Sequence, residues 1–98
     1  MISVINRHRD HRSGIYIGRG TVFGNPHKAE GGVSRRQACE RFRRDAYDWL
    51  DDPHHPFTLA LYDLKAQHDA GHEVLLVCSC KPLACHGDVI VELIEELD

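Results

Sequence analysis

The sequence contains no stretch of about 18 consecutive apolar residues, so no membrane-spanning segment is expected. Its first residues, MISVINRHRD, lack the apolar core of a secretory signal, which favours a cytoplasmic protein. No internal repeat, low-complexity tract or long linker divides the chain. Its 98 residues, 42% of them apolar, therefore predict one domain over residues 1–98 with a hydrophobic core.

Neither sign of charge dominates the chain as a whole, because its net charge is only −3. The charges are nevertheless unevenly distributed: residues 1–44 carry +7 and residues 45–98 carry −10. A basic first half predicts a surface that faces an anion. The alternative is that the two halves neutralise each other across the folded surface.

The pattern of apolar residues predicts six elements in the order ββααβα. Strands are predicted by short apolar runs at residues 2–5, 15–17 and 74–77. Helices are predicted by apolar residues at helical spacing over residues 34–50, 56–70 and 85–97. Ser34 and Gln37 fit a capping box, and VLLV at 74–77 is apolar on both faces, as in a central parallel strand. The expected fold class is α/β: a single small domain with about three helices on a short three-stranded sheet, mixed or parallel.

The segment VCSCKPLACHGD, residues 77–88, joins the buried strand to the last predicted helix. Ligands of open α/β sheets bind beyond the carboxyl ends of the strands, so this junction is a candidate site. Cys85 lies at the predicted helix start, where unpaired N–H groups and the helix dipole favour a thiolate, and it is the candidate nucleophile. His86 and Asp88 are candidate proton-transfer residues. Cys80 and Lys81 are candidate ligand contacts.

The cysteines also permit a metal-binding interpretation. The donors would be Cys78, Cys80, Cys85 and His86, which are residue types that bind zinc. Their spacing is not that of a standard zinc knuckle, and the adjacent ligands at 85 and 86 would be cramped. The leading expectation is therefore a site without a metal or cofactor. Buried, inert thiols at Cys78 and Cys80 are a further alternative, and the same is expected of Cys39 within the first helix.

A second polar segment, IYIGRGTVFGNP at residues 15–26, follows the second predicted strand. Its glycines allow a close backbone approach or a left-handed turn, and its polar side chains suit phosphate, ribose or carboxylate groups. The candidate ligand-binding residues are Gly18, Arg19, Gly20, Thr21, Gly24 and Asn25. The segment matches neither a Walker loop nor the dinucleotide fingerprint. The alternative is an ordered loop whose polar groups bond to one another.

Arginines are concentrated in the first predicted helix, where Arg36, Arg43 and Arg44 fit one face. Such a stripe would bind the phosphates of a nucleic acid. Because Glu40 and Asp45 interleave with the arginines, a solvated, salt-bridged face is the alternative.

The motifs GRGTVFGNP (18–26) and CSCKPLACHGD (78–88), with the helix opening at Ser34 between them, resemble a bacterial and phage family, number 4326 among the domains of unknown function. The resemblance covers nearly the whole chain and implies a small α/β fold with its site at the motif residues. It implies no particular reaction. The family's motif positions correspond here to Gly18, Arg19, Gly20, Thr21, Gly24, Asn25, Pro26, Cys80, Lys81, Pro82, Cys85, His86, Gly87 and Asp88.

The two motif segments together predict a small enzyme acting on a nucleotide, nucleoside or nucleic-acid-derived anionic substrate. The substrate would bind between residues 18–26 and 80–88. One alternative is a non-catalytic module, an inhibitor or sensor, that binds a nucleotide or a protein. The other alternative is a zinc-stabilised interaction domain.

Overall fold

The computed structural model describes residues 1–79, 81 and 83–97. In these residues the strands are β1 (Ile2–Asn6), β2 (Ile15–Tyr16) and β3 (Val74–Cys78). The helices are α1 (Arg35–Leu50), α2 (Pro56–Asp69) and α3 (His86–Glu96). The predicted α/β class and the order ββααβα are confirmed. None of the described helices combines the length and the apolar character needed to cross a membrane.

The sheet has β3 at its centre, with β1 and β2 on either side and parallel to it. β1 pairs with β3 along its whole length and ends with Asn6 opposite Cys78. β2 pairs only with the carboxyl-terminal part of β3, beginning with Ile15 opposite Leu76. The carboxyl ends of all three strands therefore meet at one edge. Parallel pairing thereby brings both motif segments to the same edge, as the sequence predicts.

The three helices share one core with a single face of the sheet. Phe42 of α1, Leu61 of α2 and Ile90 of α3 are fully buried together with Leu76 of β3. Burial of the apolar surface of each such side chain adds about 1.5 to 3 kcal/mol to the stability of the folded protein. The core therefore holds the start of α3 firmly beside the end of β3.

The opposite face of the sheet carries a separate cluster of Ile5, Leu75 and Val77. No helix of the described residues covers this cluster; the chain between β1 and β2 crosses it instead. A Cβ atom at Gly14 would lie 2.5 Å from the carbonyl oxygen of Leu75, so this close approach requires glycine. The crossing explains why β3 is apolar on both faces although helices pack on only one.

Local sequence signals set the ends of the helices. Ser34 caps α1: its side chain accepts a hydrogen bond from the Gln37 N–H, and its own N–H donates to Gln37 Oε1 at 2.8 Å. This reciprocal pair confirms the predicted capping box. Gly71 follows α2 with φ of +85°, a conformation that favours glycine and ends the helix as predicted.

Candidate functional site

A cavity of about 430 Å³ opens at the carboxyl edge of the sheet. Its walls come from the Gly-rich segment, the end of β3, α1 and the start of α3. The lining side chains that matter for its chemistry are Arg19, Asn25, Arg35, Cys39, Cys85 and His86. Small-molecule sites have volumes of about 300 to 1,000 Å³, so the cavity can hold a ligand the size of a nucleotide.

Cys85 occupies the N-cap position of α3 and lines the cavity. The backbone N–H of Gly87 donates a hydrogen bond to Cys85 Sγ at 3.4 Å. The residue is only 3% exposed, so a reagent reaches its sulfur through the cavity. The positive end of the α3 dipole faces this sulfur, which is one of the environments in which reactive cysteines are found.

Lys81 and Asp88 form an ion pair beside this helix start, with 2.5 Å between Lys81 Nζ and Asp88 Oδ1. The hydrogen bond to Asp88 raises the pKa of Lys81, and the neighbouring Cys85 and Cys78 raise it further. The Lys81 carbonyl accepts a hydrogen bond from Asn6 Nδ2 at 2.5 Å, which ties the segment to the end of β1. Asp88 thus anchors Lys81 near the thiols, and its predicted role in proton transfer stays a prediction.

His86 connects the start of α3 to the Gly-rich segment. Its Nε2 lies 2.7 Å from the carbonyl oxygen of Ile17, and its ring packs edge-on against Phe42 with centroids 5.1 Å apart. Burial lowers the pKa of His86, and hydrogen bonds to the carbonyl groups of Ile17 and Phe23 oppose this only in part. The ring therefore holds both ends of the turn that carries Arg19. Its predicted role in proton transfer stays a prediction.

The backbone of the Gly-rich segment needs glycine at two positions for different reasons. Gly20 has φ of +85°, in the left-handed region. At Gly24 a Cβ atom would lie 2.7 Å from the backbone carbonyl oxygen of Gly18. The side chain of Tyr16 folds over Gly18, where an added Cβ atom would meet its hydroxyl group. The turn consequently brings Arg19 to the cavity beside an aromatic ring.

Two polar side chains of the Gly-rich segment form hydrogen bonds within the protein. Thr21 Oγ1 donates to the Gly18 carbonyl at 2.7 Å. Asn25 Nδ2 donates to the Ala38 carbonyl of α1 at 3.1 Å, and Asn25 Oδ1 accepts from the His27 N–H at 2.9 Å. These contacts fit the alternative of an internally bonded loop, and they fix that loop against α1.

Arg19 and Arg35 bring positive charge to two different walls of the cavity, the Gly-rich segment and the first turn of α1. Neither arginine has an ion-pair partner within the described residues. His27, which also lines the cavity, contacts a carboxylate: its Nε2 lies 2.6 Å from Asp45 Oδ2. Two unpaired guanidinium groups beside a concave surface favour an anionic ligand.

The sequence interpretation missed two cavity residues on α1 that carry a charge or a thiol. Arg35 was not distinguished from the other arginines of the helix, and Cys39 was expected to be a buried, inert thiol. Cys39 is in fact half-buried and lines the cavity. The positive charge of the first half of the chain indicated that its arginines could contact an anion. It did not single out Arg35, because packing decides which side of α1 faces the cavity.

Several predicted ligand contacts lie outside the cavity wall formed by the described residues. These are Gly20, Thr21, Gly24 and Lys81. Cys80, predicted both as a ligand contact and as a possible zinc ligand, lies outside the described residues. Among the residues that are described, no group of three His, Cys, Asp or Glu side chains is placed to hold a metal ion. The zinc alternative, which included Cys80, stays untested.

One of the three arginines predicted to form a phosphate-binding face on α1 is held in ion pairs within the protein. Arg43 forms ion pairs with Glu92 of α3 and, at 3.5 Å, with Glu40. It lies seven residues after Arg36 and so on the same side of α1, but its ion pairs join two helices, in contrast to the side chains of Arg36 and Arg44. The latter two are exposed and line a surface groove on α1.

Comparison with known proteins identifies a family whose description names no reaction. The family described as "Domain of unknown function (DUF4326)" matches residues 4–96, which include both motif segments. An uncharacterized 12.4 kDa protein in the nrdA-td intergenic region of Enterobacteria phage T4 is 30% identical over 94 residues. This alignment covers 96% of the present chain and 78% of the phage protein. No solved structure matches the chain.

Proposed function

The chain belongs to the DUF4326 family, and from the geometry of its cavity we propose that it is a small enzyme acting on a nucleotide or nucleoside phosphate. One observation carries the proposal. Arg19 and Arg35, which have no ion-pair partner among the described residues, line one cavity of about 430 Å³ together with the helix-capping thiol of Cys85. The arrangement pairs an anion-binding wall with a candidate nucleophile.

The arginines would bind the phosphate group of the substrate. A guanidinium group can donate two parallel hydrogen bonds to phosphate oxygens, which fixes the orientation of the group as well as its position. Tyr16 lines the same cavity and is 40% exposed, so its ring offers a surface for a nucleobase. Arg7 lies over that ring at 5.3 Å from its centroid. The base would therefore contact the part of the ring that Arg7 leaves open.

The Cys85 thiolate would attack the phosphorus atom of the bound nucleoside phosphate: an S–P bond forms, the bond from phosphorus to the nucleoside oxygen breaks, and that oxygen leaves with a proton from water. A second water molecule then hydrolyses the S–P bond, which releases phosphate and restores the thiolate. The N-terminal end of α3 and the nearby Lys81 supply positive charge to the sulfur, and Asp88 holds Lys81 in place. His86 would act as a positioning residue, because its ring holds the turn that presents Arg19. Lys81 and Asp88 would thus help to activate the thiol, and His86 would support binding of the substrate by Arg19.

The phosphate-binding role is tested by isothermal titration calorimetry with a panel of nucleoside mono- and diphosphates. The Arg19→Gln/Arg35→Gln variant should bind its preferred nucleotide at least about 100-fold more weakly, because each hydrogen bond to a charged group contributes about 1.5 to 3 kcal/mol. The matched control is Arg12→Gln/Lys65→Gln, which removes the same charge at two ion pairs away from the cavity. Equal affinities in both variants would contradict the proposal.

The catalytic role of Cys85 is tested by alkylation followed by mass spectrometry. Iodoacetamide at pH 7 should label Cys85 faster than Cys39, and the bound nucleotide should slow the labelling of Cys85. The Cys85→Ser variant should keep nucleotide affinity and lose turnover. Slow labelling at both cysteines would refute the nucleophile while leaving the binding site intact, which is the behaviour of a non-catalytic binding module.

A further inference from the structure

The proposed reaction needs a proton for the nucleoside oxygen that leaves phosphorus, and we propose that His27 of the cavity wall donates this proton in place of water. Asp45 of α1 is the positioning residue that holds the His27 ring. This inference rests on the proposed function, since it adds a second catalytic residue to the reaction that begins at Cys85.

His27 lines the same cavity as Cys85 and contacts a carboxylate of α1. Its Nε2 lies 2.6 Å from Asp45 Oδ2, within hydrogen-bond distance. A carboxylate at one ring nitrogen fixes the orientation of a histidine and decides which nitrogen exchanges protons with a ligand. Nδ1 of His27 has no hydrogen-bond partner within the part of the chain that the structure describes, so it is the nitrogen that can serve a bound substrate.

The His27 ring is held against α1 at two points. The His27 N–H donates to Asn25 Oδ1 at 2.9 Å, and Asn25 Nδ2 donates to the Ala38 carbonyl at 3.1 Å. Ala38 and Asp45 are seven residues apart, which is about two helical turns, so both contacts fall on the same side of α1. The side chain of His27 is nevertheless 31% exposed. The ring is therefore fixed in place and still open to a ligand in the cavity.

The direction of the reaction favours His27 over the other candidates for proton transfer. In a displacement at phosphorus the leaving oxygen lies roughly in line with the attacking atom, on the opposite side. The proton donor must therefore stand on a different wall from Cys85. His86 and Asp88 belong to the same helix start as Cys85 and are engaged there, one with a backbone carbonyl group and the other with a lysine. His27 reaches the cavity from the chain between β2 and α1.

The protons balance over the two steps of the reaction. In the first step the S–P bond forms, the bond from phosphorus to the nucleoside oxygen breaks, and the protonated His27 ring gives its Nδ1 proton to that oxygen. In the second step the neutral ring takes a proton from the water molecule that attacks phosphorus, and the S–P bond breaks. Each cycle consumes one water molecule, releases phosphate and the nucleoside, and restores both the Cys85 thiolate and the protonated ring.

The test compares two leaving groups in single turnovers with the enzyme in excess. The first substrate is whichever of adenosine, guanosine, cytidine and uridine monophosphate the wild type cleaves fastest. The second is para-nitrophenyl phosphate, because para-nitrophenolate is a stable anion that leaves without a proton. Loss of the proton donor should therefore slow the release of the nucleoside and not that of para-nitrophenolate.

His27→Gln is the decisive variant, because a glutamine amide can still donate to Asp45 but cannot transfer a proton. It should release the nucleoside at least about 100-fold more slowly than the wild type, and para-nitrophenolate within about threefold of it. Asp45→Asn should slow release of the nucleoside at least about tenfold, again without slowing para-nitrophenolate. The control His54→Gln changes an exposed histidine and should leave both rates within about twofold.

The ratio of the two rates separates a catalytic histidine from a structural one, since a loss of folded protein lowers both rates together. A ratio in His27→Gln equal to that of the wild type would overturn the inference and leave the reaction at Cys85 standing. Failure of the wild type to release a nucleoside from any of the four monophosphates would instead refute the proposed function, and the inference with it.

Discussion

Replacing His86 by alanine should destabilise the protein through loss of a partly buried bridge between α3 and the Gly-rich segment. The ring nitrogen Nε2 lies 2.7 Å from the Ile17 carbonyl, and leaving a buried acceptor unpaired costs about 1 to 3 kcal/mol. The edge-on contact with Phe42 contributes about 0.5 to 1.5 kcal/mol more. Alanine has the better helix propensity, which offsets up to about 0.7 kcal/mol. The net loss should be about 1 to 4 kcal/mol.

The loss is measured by urea unfolding followed by circular dichroism and by thermal melting. For a domain of this size about 1 kcal/mol corresponds to 4 to 8 °C, so the melting temperature should fall by about 4 to 32 °C. The control is His54→Ala, which changes an exposed histidine and should shift the melting temperature by less than about 3 °C. A His86→Ala variant as stable as this control would refute the bridging role.

The effect of His86 should also depend on pH. Burial lowers its pKa below the ordinary value of 6.5, so the folded protein binds a proton there less readily than the unfolded chain does. The stability that neutral His86 contributes is therefore fully present above pH 6.5, and it is lost as the pH falls towards the lower, folded-state pKa. The difference in stability between wild type and His86→Ala should be larger at pH 7.5 than at pH 5. A difference that grows on acidification would contradict the stated direction of the pKa shift.

Two further predictions concern the scaffold of the site. Gly14→Ala should destabilise the fold by about 1 to 3 kcal/mol in urea unfolding, because the new Cβ atom would lie 2.5 Å from the Leu75 carbonyl oxygen. Gly87→Ala should lower the free energy of unfolding less than Gly14→Ala does, since its Cβ atom meets only side-chain ends at 2.8 to 3.0 Å. A larger loss for Gly87→Ala than for Gly14→Ala would show that the segment around Gly14 can move away from β3. Ser34→Ala should cost about 1 kcal/mol by removing the α1 cap, whereas the exposed Ser13→Ala should be neutral; equal stabilities would argue against the cap.

The fold could be predicted in most of its elements because its signals are local. Ser34 and Gln37 are three residues apart, so the capping box that starts α1 is readable from the sequence. The apolar run of β3 predicts a central strand, and the structure shows it between two parallel neighbours. The sheet order β1-β3-β2 was beyond prediction, because it depends on the path of the chain past Gly14 across the second face of β3.

The candidate site was predicted only in part. Cys85, Arg19 and His86 were recognised from their motif segments, and all three line the cavity. Arg35 and Cys39 were not, because no local pattern shows which side of α1 faces the end of the sheet. That side is set by packing of residues such as Phe42 against the shared core.

The sequence by itself determined where helices and strands begin, which loops carry polar chemistry and that positive charge is concentrated in the first half of the chain. Capping, turn residues and hydrophobic spacing act over a few neighbouring residues, so they can be read without a structure. Tertiary structure alone decided which arginines remain unpaired. Arg43 is neutralised by Glu92, which is 49 positions away in sequence, whereas Arg19 and Arg35 come together at one cavity without a carboxylate partner in the described residues. Such pairings depend on distances in space, which a net charge of −3 does not reveal.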